Sequence, residues 1–270
     1  GFTIGAASPA MFVCGDMKGL CHGDDFVVVA AREELYEFEK VLQAEFEVRR
    51  TGHLGFGSDM PEAQEIEILK RRLRLRQSDN MIELEADDRH VKVLAKLYDL
   101  EKAKPTATPR IKVTEADLKR LEASEALDRE ESLRFRSGTM RAAYLAVDRP
   151  DISEAIKCLA TAMAVPKKEH VVLLKRVIRY LIGMPRMILK YEAQPYDSPV
   201  KVKVDSDWGG EIKTRRSTTG MAVTRGRHLL RHASTLQQSV GLSSAESEYY
   251  AMVKGACYGL GTQSYFKDWS

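Results

Sequence analysis

Carboxylates cluster in two separate stretches of this chain. In Val202-Lys203-Val204-Asp205-Ser206-Asp207-Trp208, an alternating strand runs into two aspartates. In Leu242-Ser243-Ser244-Ala245-Glu246-Ser247-Glu248-Tyr249-Tyr250-Ala251, a capped helix start carries two glutamates. A strand carboxylate set against a helix carboxylate can hold magnesium on a phosphodiester, the chemistry of a nucleic-acid-cutting domain. Strand alternation puts Val200, Val202 and Val204 on one face and Lys201, Lys203, Asp205 and Asp207 on the other. With Ser243 as N-cap, Glu246 takes the reciprocal position of a capping box, which is a structural job. Glu248 lies about 200° further round the helix, so only one of the two glutamates can face the sheet, and Glu248 is the one left for it. The same spacing serves equally for two surface glutamates favoured by the helix dipole.

A second acidic pair, Asp24-Asp25, lies between Cys21-His22-Gly23 and the strand Phe26-Val27-Val28-Val29-Ala30. Adjacent acids in a hairpin bend are commonly a solvated turn. In front of a hydrophobic strand they also match the bend in which polymerases hold two magnesium ions about 4 Å apart. That chemistry needs a further aspartate from a neighbouring strand, and no suitable one lies upstream.

The elements that would position these groups read as follows. Residues 11–30 form a hairpin, with residues 11–14 and 26–30 as strands and residues 15–19 as turn. Residues 32–46 are helical, with Leu35, Phe38, Leu42 and Phe46 on one face. Residues 66–76 and 81–84 are paired strands, and residues 87–100 are helical. Two prolines make residues 104–109 a linker. The charge-rich residues 114–131 fit either a solvated helix or disorder. Helices follow at 134–147, 152–165 and 169–182, the last ending at Gly183. From about Ile188 the order is strand, strand, hairpin, strand, helix.

Of the 270 residues, 44% are hydrophobic and 30% charged, enough for two cores at a formal charge of only +3. That charge permits nucleic acid as a partner without arguing for it. Cys14, Cys21, Cys158 and Cys257 have neither disulfide-framework nor zinc spacing. No apolar run reaches a membrane span and no signal peptide is present, so a cytoplasmic or nuclear location with no membrane partner is expected. The chain starts at Gly1 and stops at Ser270 within helix-like sequence, which reads as a cut from a longer protein.

Several segments, in one order, resemble the C-terminal part of the Pol polyprotein of copia-type LTR retrotransposons. They are Asp24-Asp25-Phe26-Val27-Val28, Pro105-Thr106-Ala107-Thr108-Pro109, Tyr144-Leu145-Ala146 with Arg149-Pro150-Asp151-Ile152, and residues 169–185. Asp205-Ser206-Asp207-Trp208, Arg216-Ser217-Thr218-Thr219-Gly220 and residues 242–249 complete the series. The resemblance implies an α+β fold in three parts. Residues 1–109 would be a partial reverse-transcriptase palm and thumb, residues 110–187 a linker and helical connection, and residues 188–270 a truncated ribonuclease H-like mixed-sheet domain. It implies RNA-directed DNA synthesis and hydrolysis of RNA in an RNA–DNA hybrid as the parent activities, on two-metal Mg2+ sites. Asp24 and Asp25 would be polymerase ligands, Asp205 and Glu248 the first two ribonuclease H ligands, and Asp207 and Glu246 their neighbours. Lys213, Arg215 and Arg216 serve as phosphate contacts or as a solvated basic hairpin. The partners would be hybrid or template–primer and the remainder of the polyprotein.

The chain departs from that pattern in places. His22-Gly23 stands where the family has Tyr-Val, and residues 52–65 and 110–131 fit poorly. The first polymerase aspartate and the third ribonuclease H carboxylate are expected outside residues 1–270, since Asp268 comes too early on its helix to supply the latter. The rival reading is a catalytically dead remnant that binds nucleic acid or protein at most.

Overall fold

The computed structural model describes residues 1–61, 63–111 and 113–269. Glu62 and Lys112, inside the two poorly fitting stretches, lie outside the described residues, as does Ser270. Helical and strand segments are separated along the chain in an α+β architecture, and every strand pairing among the described residues is antiparallel. The mixed sheet expected for the last part is therefore an antiparallel one here.

The first sheet is a meander of β1 (Thr3–Ile4), β2 (Met11–Cys14), β3 (Met17–His22) and β4 (Asp25–Val29), followed by helix α1 (Arg32–Glu45). Residues 15–19 were expected as turn. Only Gly15 and Asp16 turn, and Met17 to Gly19 already belong to β3. Gly19 hid the strand, because glycine weakens a strand pattern. It is needed there because a Cβ would fall 2.0 Å from the Phe12 ring. Phe12 in turn packs with Phe2 and Phe38, the latter from α1, at ring separations of 5.6 and 6.0 Å.

The second sheet takes β5 (Ala63–Ile68), β6 (Arg71–Arg76) and β7 (Met81–Glu85) from one stretch, and β8 (Ile188–Glu192) from far along the chain. β8 was expected to open the last region; by hydrogen bonding it completes this sheet against β7. One face is a ladder of alternating charge. Arg72, Arg74 and Arg76 stand opposite Glu85, Glu83 and Met81 across β6–β7. Glu83 and Glu85 are both only 2% exposed. Arg76 Nε lies 3.0 Å from Glu83, and Glu85 is held by Arg186 and by Arg74 Nη1 at 2.7 Å.

Arg186, joined by Arg74, holds the Glu85 carboxyl down to about 2 against the upward push of burial. A depressed folded-state value means stability present above the ordinary 4.5 and lost as pH falls from there toward 2. Urea unfolding at pH 6 and pH 2.5 is expected to show the native chain losing roughly 2–3 kcal/mol more than Glu85→Gln across that window. Equal losses would remove Glu85 as the source.

The helical core comes mostly from the stretch of chain between β7 and β8. It is built from α2 (Arg89–Leu97), α4 (Arg129–Ala146), a 3₁₀ turn at Pro150–Ile152, α5 (Ser153–Thr161) and α6 (Lys168–Gly183). Leu94, Phe135, Ala142, Ile152, Leu174, Ile178 and Leu181 are fully buried at its centre. Within the charge-rich residues 114–131, helix α3 (Glu115–Ala123) is capped by Thr114, whose hydroxyl accepts from Asp117 N–H at 3.2 Å. The linker at 104–109 is strapped to α6, with Arg179 Nε donating to the Lys104 carbonyl at 2.6 Å and Arg176 Nη2 to Thr108 at 3.0 Å.

Arg149 is buried within this core. Its guanidinium makes a bidentate pair with Asp151 at 2.9 and 2.7 Å and donates to the Met184 carbonyl at 2.9 Å. Tyr180 donates to the same Asp151 at 2.9 Å. Burial pushes the Asp151 carboxyl up, but Arg149 and Tyr180 outweigh it and hold it below the usual carboxylate range.

The last unit is a three-stranded sheet in the order β11 (His228–Leu236), β10 (Thr218–Arg225), β9 (Val200–Ser206), with helix α7 (Ser244–Asp268) laid across it. Ala251 and Gly255 are the buried side of α7, along with Ser247. The small residues let the helix axis come close to β9: a Cβ on Gly255 would meet Val204 Cγ1 at 2.5 Å and Val202 Cγ1 at 3.3 Å. Among the described residues, no helix is long and apolar enough to cross a membrane.

Candidate metal centre on the last sheet

β9 alternates as its sequence requires. Val200, Val202, Val204 and Ser206 are half-buried, and Lys201, Lys203 and Asp205 are exposed on the other face. The strand ends at Ser206. Asp207 N–H donates to the Thr218 carbonyl at 3.2 Å, and its carboxylate accepts from Thr218 N–H at 2.5 Å. Asp207 is thus engaged in fastening the end of β9 to the start of β10.

Because the Asp207 N–H points toward β10, alternation turns the Ser206 N–H to the open side of β9, where no strand of the described residues pairs with it. Glu248 fills that position: its Oε1 accepts from Ser206 N–H at 3.2 Å. The helix carboxylate is therefore fixed to the strand at the residue after Asp205. Asp205 itself stands on the face turned away from the valines that pack on α7.

The cap of α7 explains why Glu248 and not Glu246 reaches the sheet. Ser243 Oγ accepts from Glu246 N–H at 3.1 Å, as the capping motif requires. The return bond falls one residue earlier than expected: Glu246 Oε2 accepts from Leu242 N–H at 2.7 Å. Tyr250 donates to the other Glu246 oxygen at 2.9 Å. Both Glu246 oxygens are occupied locally.

A buried polar cluster joins these pieces, and nothing in the local sequence pattern announced it. Ser217 Oγ lies 2.9 Å from Ser247 Oγ and accepts from Gly209 N–H at 3.0 Å. Gln237 Nε2 lies 3.0 Å from Ser206 Oγ and from Thr219 Oγ1, and 2.9 Å from the Ser247 carbonyl. The available signal was four hydroxyl residues and an amide in otherwise strand-like and helix-like segments, and it becomes meaningful only once the strands are paired.

Lys213, Arg215 and Arg216 are exposed on the turn between β9 and β10. The turn is held by Glu211, whose carboxylate accepts from Thr214 N–H at 2.6 Å. Arg215 adopts a left-handed backbone at φ 58°. From α5, Lys157 Nζ donates to Thr218 Oγ1 at 2.8 Å, tying the helical core to the base of this turn.

Asp24 and Asp25 occupy the β3–β4 hairpin in the first sheet. His22 and Asp25 are register partners, Gly23 has φ 66°, and both aspartates are exposed. Asp268, at the end of α7, accepts from three consecutive backbone N–H groups, those of Ala6, Ala7 and Ser8, at 3.0, 2.8 and 3.2 Å. Among the described residues, no group of three His, Cys, Asp or Glu side chains is placed to hold a metal ion. Two carboxylates and a substrate phosphate suffice for magnesium, which keeps much of its water. The hard oxygen donors of Asp205 and Glu248 fit that requirement.

No family model and no solved structure matches the chain. The retrovirus-related Pol polyprotein from transposon RE1 of Arabidopsis thaliana is 39% identical over 108 residues, covering 39% of this chain and 7% of that protein. Its counterpart from transposon RE2 of the same plant is 34% identical over 149 residues, covering 54% of this chain and 10% of that protein. Secreted RxLR effector protein 161 of Plasmopara viticola is 33% identical over 108 residues, covering 40% of this chain and 75% of that protein. The chain thus spans a tenth or less of the two transposon polyproteins.

Proposed function

We propose that the chain, which is similar over part of its length to the Pol polyproteins of copia-type LTR retrotransposons, carries in its last unit the ribonuclease H part, with Asp205 and Glu248 as magnesium ligands. The observation that carries this is the Glu248–Ser206 hydrogen bond, which fixes the helix carboxylate to the strand at the residue after Asp205. An antiparallel β11-β10-β9 sheet followed directly by a helix that packs on β9 supports the same reading. When bound, magnesium would activate water and stabilise the leaving 3′ oxygen of an RNA strand.

The chain's own groups do the rest. Glu248 keeps one oxygen on the Ser206 amide and offers the other, and Asp205 offers an exposed carboxylate on the neighbouring residue. Lys213, Arg215 and Arg216, on the turn that follows β9, are placed to meet the phosphates of an RNA–DNA hybrid, recognised by backbone and 2′-hydroxyl contacts. In the same proposal, residues 1–109 are the end of a reverse transcriptase with Asp24 and Asp25 as polymerase magnesium ligands. Their exposed two-residue turn leaves room for ligands from elsewhere in a polyprotein. Residues 110–187 are the connection between the two.

Manganese titration of the chain, followed by water-proton relaxation, tests the ribonuclease H centre. Asp205→Asn and Glu248→Gln are each expected to weaken binding by tenfold or more, while Asp207→Asn, whose carboxylate is already held by the Thr218 amide, is expected to change it less than threefold. A double variant at Asp205 and Glu248 that binds manganese as the native chain does would sink the assignment.

A further inference from the structure

Gln237 follows directly on β11 and is only 8% exposed. Its backbone N–H donates to the Ser217 carbonyl at 2.8 Å, which fixes the residue at the base of β10. Its side-chain nitrogen lies 3.0 Å from Thr219 Oγ1 on β10 and reaches two further chain segments. On one side is Ser206 Oγ at 3.0 Å, in the residue whose amide holds Glu248. On the other is the Ser247 carbonyl at 2.9 Å, in the residue immediately before Glu248. Ser206 Oγ passes the constraint on by donating to the Asp207 carbonyl at 2.9 Å. One amide group therefore bridges the end of β9 and the first turn of α7, the two places that carry the carboxylates.

The cost of this arrangement is visible. Among the described residues, Gln237 Oε1 is buried with no hydrogen-bond partner, and an orphaned buried acceptor destabilises the fold. An apolar side chain of the same length would avoid that penalty and still fill the space. The amide is what aligns the segments, since its nitrogen can satisfy a hydroxyl on the strand and a carbonyl on the helix together. We infer that Gln237 is a positioning residue that holds the Ser206 amide on Glu248, and so sets the spacing of the carboxylate pair. The functional weight of this inference rests on the reading of Asp205 and Glu248 as metal ligands.

The test uses Gln237→Met, which keeps length and volume and removes the hydrogen bonds. In the native chain, the bond to Glu248 protects the Ser206 amide from hydrogen exchange, which a proton–nitrogen correlation spectrum follows residue by residue. In Gln237→Met that protection is expected to fall tenfold or more. Exchange protection of the Val223 amide, buried at the centre of β10, should stay within about twofold of native and so report an intact sheet. Manganese affinity should fall roughly tenfold, the usual effect of removing a group that orients a ligand. A merely structural Gln237 would lower the unfolding midpoint and leave the Ser206 protection native, and that result in a folded variant overturns the inference.

Should Gln237→Met fail to fold, Ser206→Ala and Thr219→Val remove two of its three bonds singly. Native protection of the Ser206 amide in both overturns the inference as well. The two proposals fail separately. If manganese binding ignores Asp205→Asn and Glu248→Gln, the metal reading is lost while the Ser206 amide still decides the role of Gln237.

Discussion

Arg149→Met will cost about 3–5 kcal/mol of folding free energy, the range for breaking a buried ion pair from one side. The side chain is buried and holds Asp151 through two nitrogens. Removing it strands a carboxylate that Tyr180 alone cannot satisfy, and it frees the Met184 carbonyl at the end of α6. The double variant Arg149→Met with Asp151→Leu should recover much of the loss, because two apolar groups leave no buried charge behind. Urea unfolding of both variants gives the comparison. If the double variant is as unstable as the single one, packing of the Arg149 stem and not its charge is what matters. In the sequence, Arg149-Pro150-Asp151-Ile152 stood out only as a turn and as a stretch resembling a family segment. The structure gives that segment a local task, which is to lock the 3₁₀ turn against α6.

Gly255→Leu on α7 is expected to lose about 2–3 kcal/mol, although leucine is the better helix former by nearly ~1 kcal/mol. The helix preference loses because the first atom added would already sit 2.5 Å from Val204 Cγ1, and β9 cannot retreat without leaving β10. Gly261→Leu on the same helix is the control. Nothing lies within 4 Å of the Cβ position there, so helix preference should prevail and stability should hold or rise by up to ~1 kcal/mol. The Gly255 variant should also lose the bond between Glu248 and the Ser206 amide, because lifting α7 by an ångström takes a 3.2 Å contact out of reach. Thermal unfolding and the Ser206 amide signal read the two effects. Equal stabilities for the Gly255 and Gly261 variants would mean that the close approach of α7 to β9 does not limit the fold.

What was legible in the sequence was what depends on near neighbours. Alternation in β9 and the cap at Ser243 follow from spacings of two and three residues. Together they singled out Glu248 as the glutamate turned toward the sheet. The return bond from Glu246 was displaced by one residue because Leu242, just before the cap, leaves its amide free for it. β3 was hidden by Gly19, whose reason for being there is a phenylalanine on the next strand. The helix at 115–123 and the first turn of the helix at 129–146 were obscured by charge, although Thr114 with Asp117 and Asp128 with Glu131 are capping pairs that spacing alone could have disclosed. Partners distant in sequence stayed out of reach altogether. β8 pairs with β7 across about a hundred residues, and Gln237 draws its meaning from Ser206, Thr219 and Ser247 on three different elements.

The outer edge of β9 has a further consequence, for solubility. A sheet that stops at an unpaired strand presents a row of open amides and carbonyls on which a second chain can stack, the usual seed of aggregation. Here the rung at Ser206 is already taken by a carboxylate from the chain's own helix, and Lys201 and Lys203 place charge along the same strand. Glu248→Gln therefore does more than neutralise a ligand. It weakens the guard on an exposed edge, so its effect on the monomer's tendency to self-associate belongs beside its effect on metal binding.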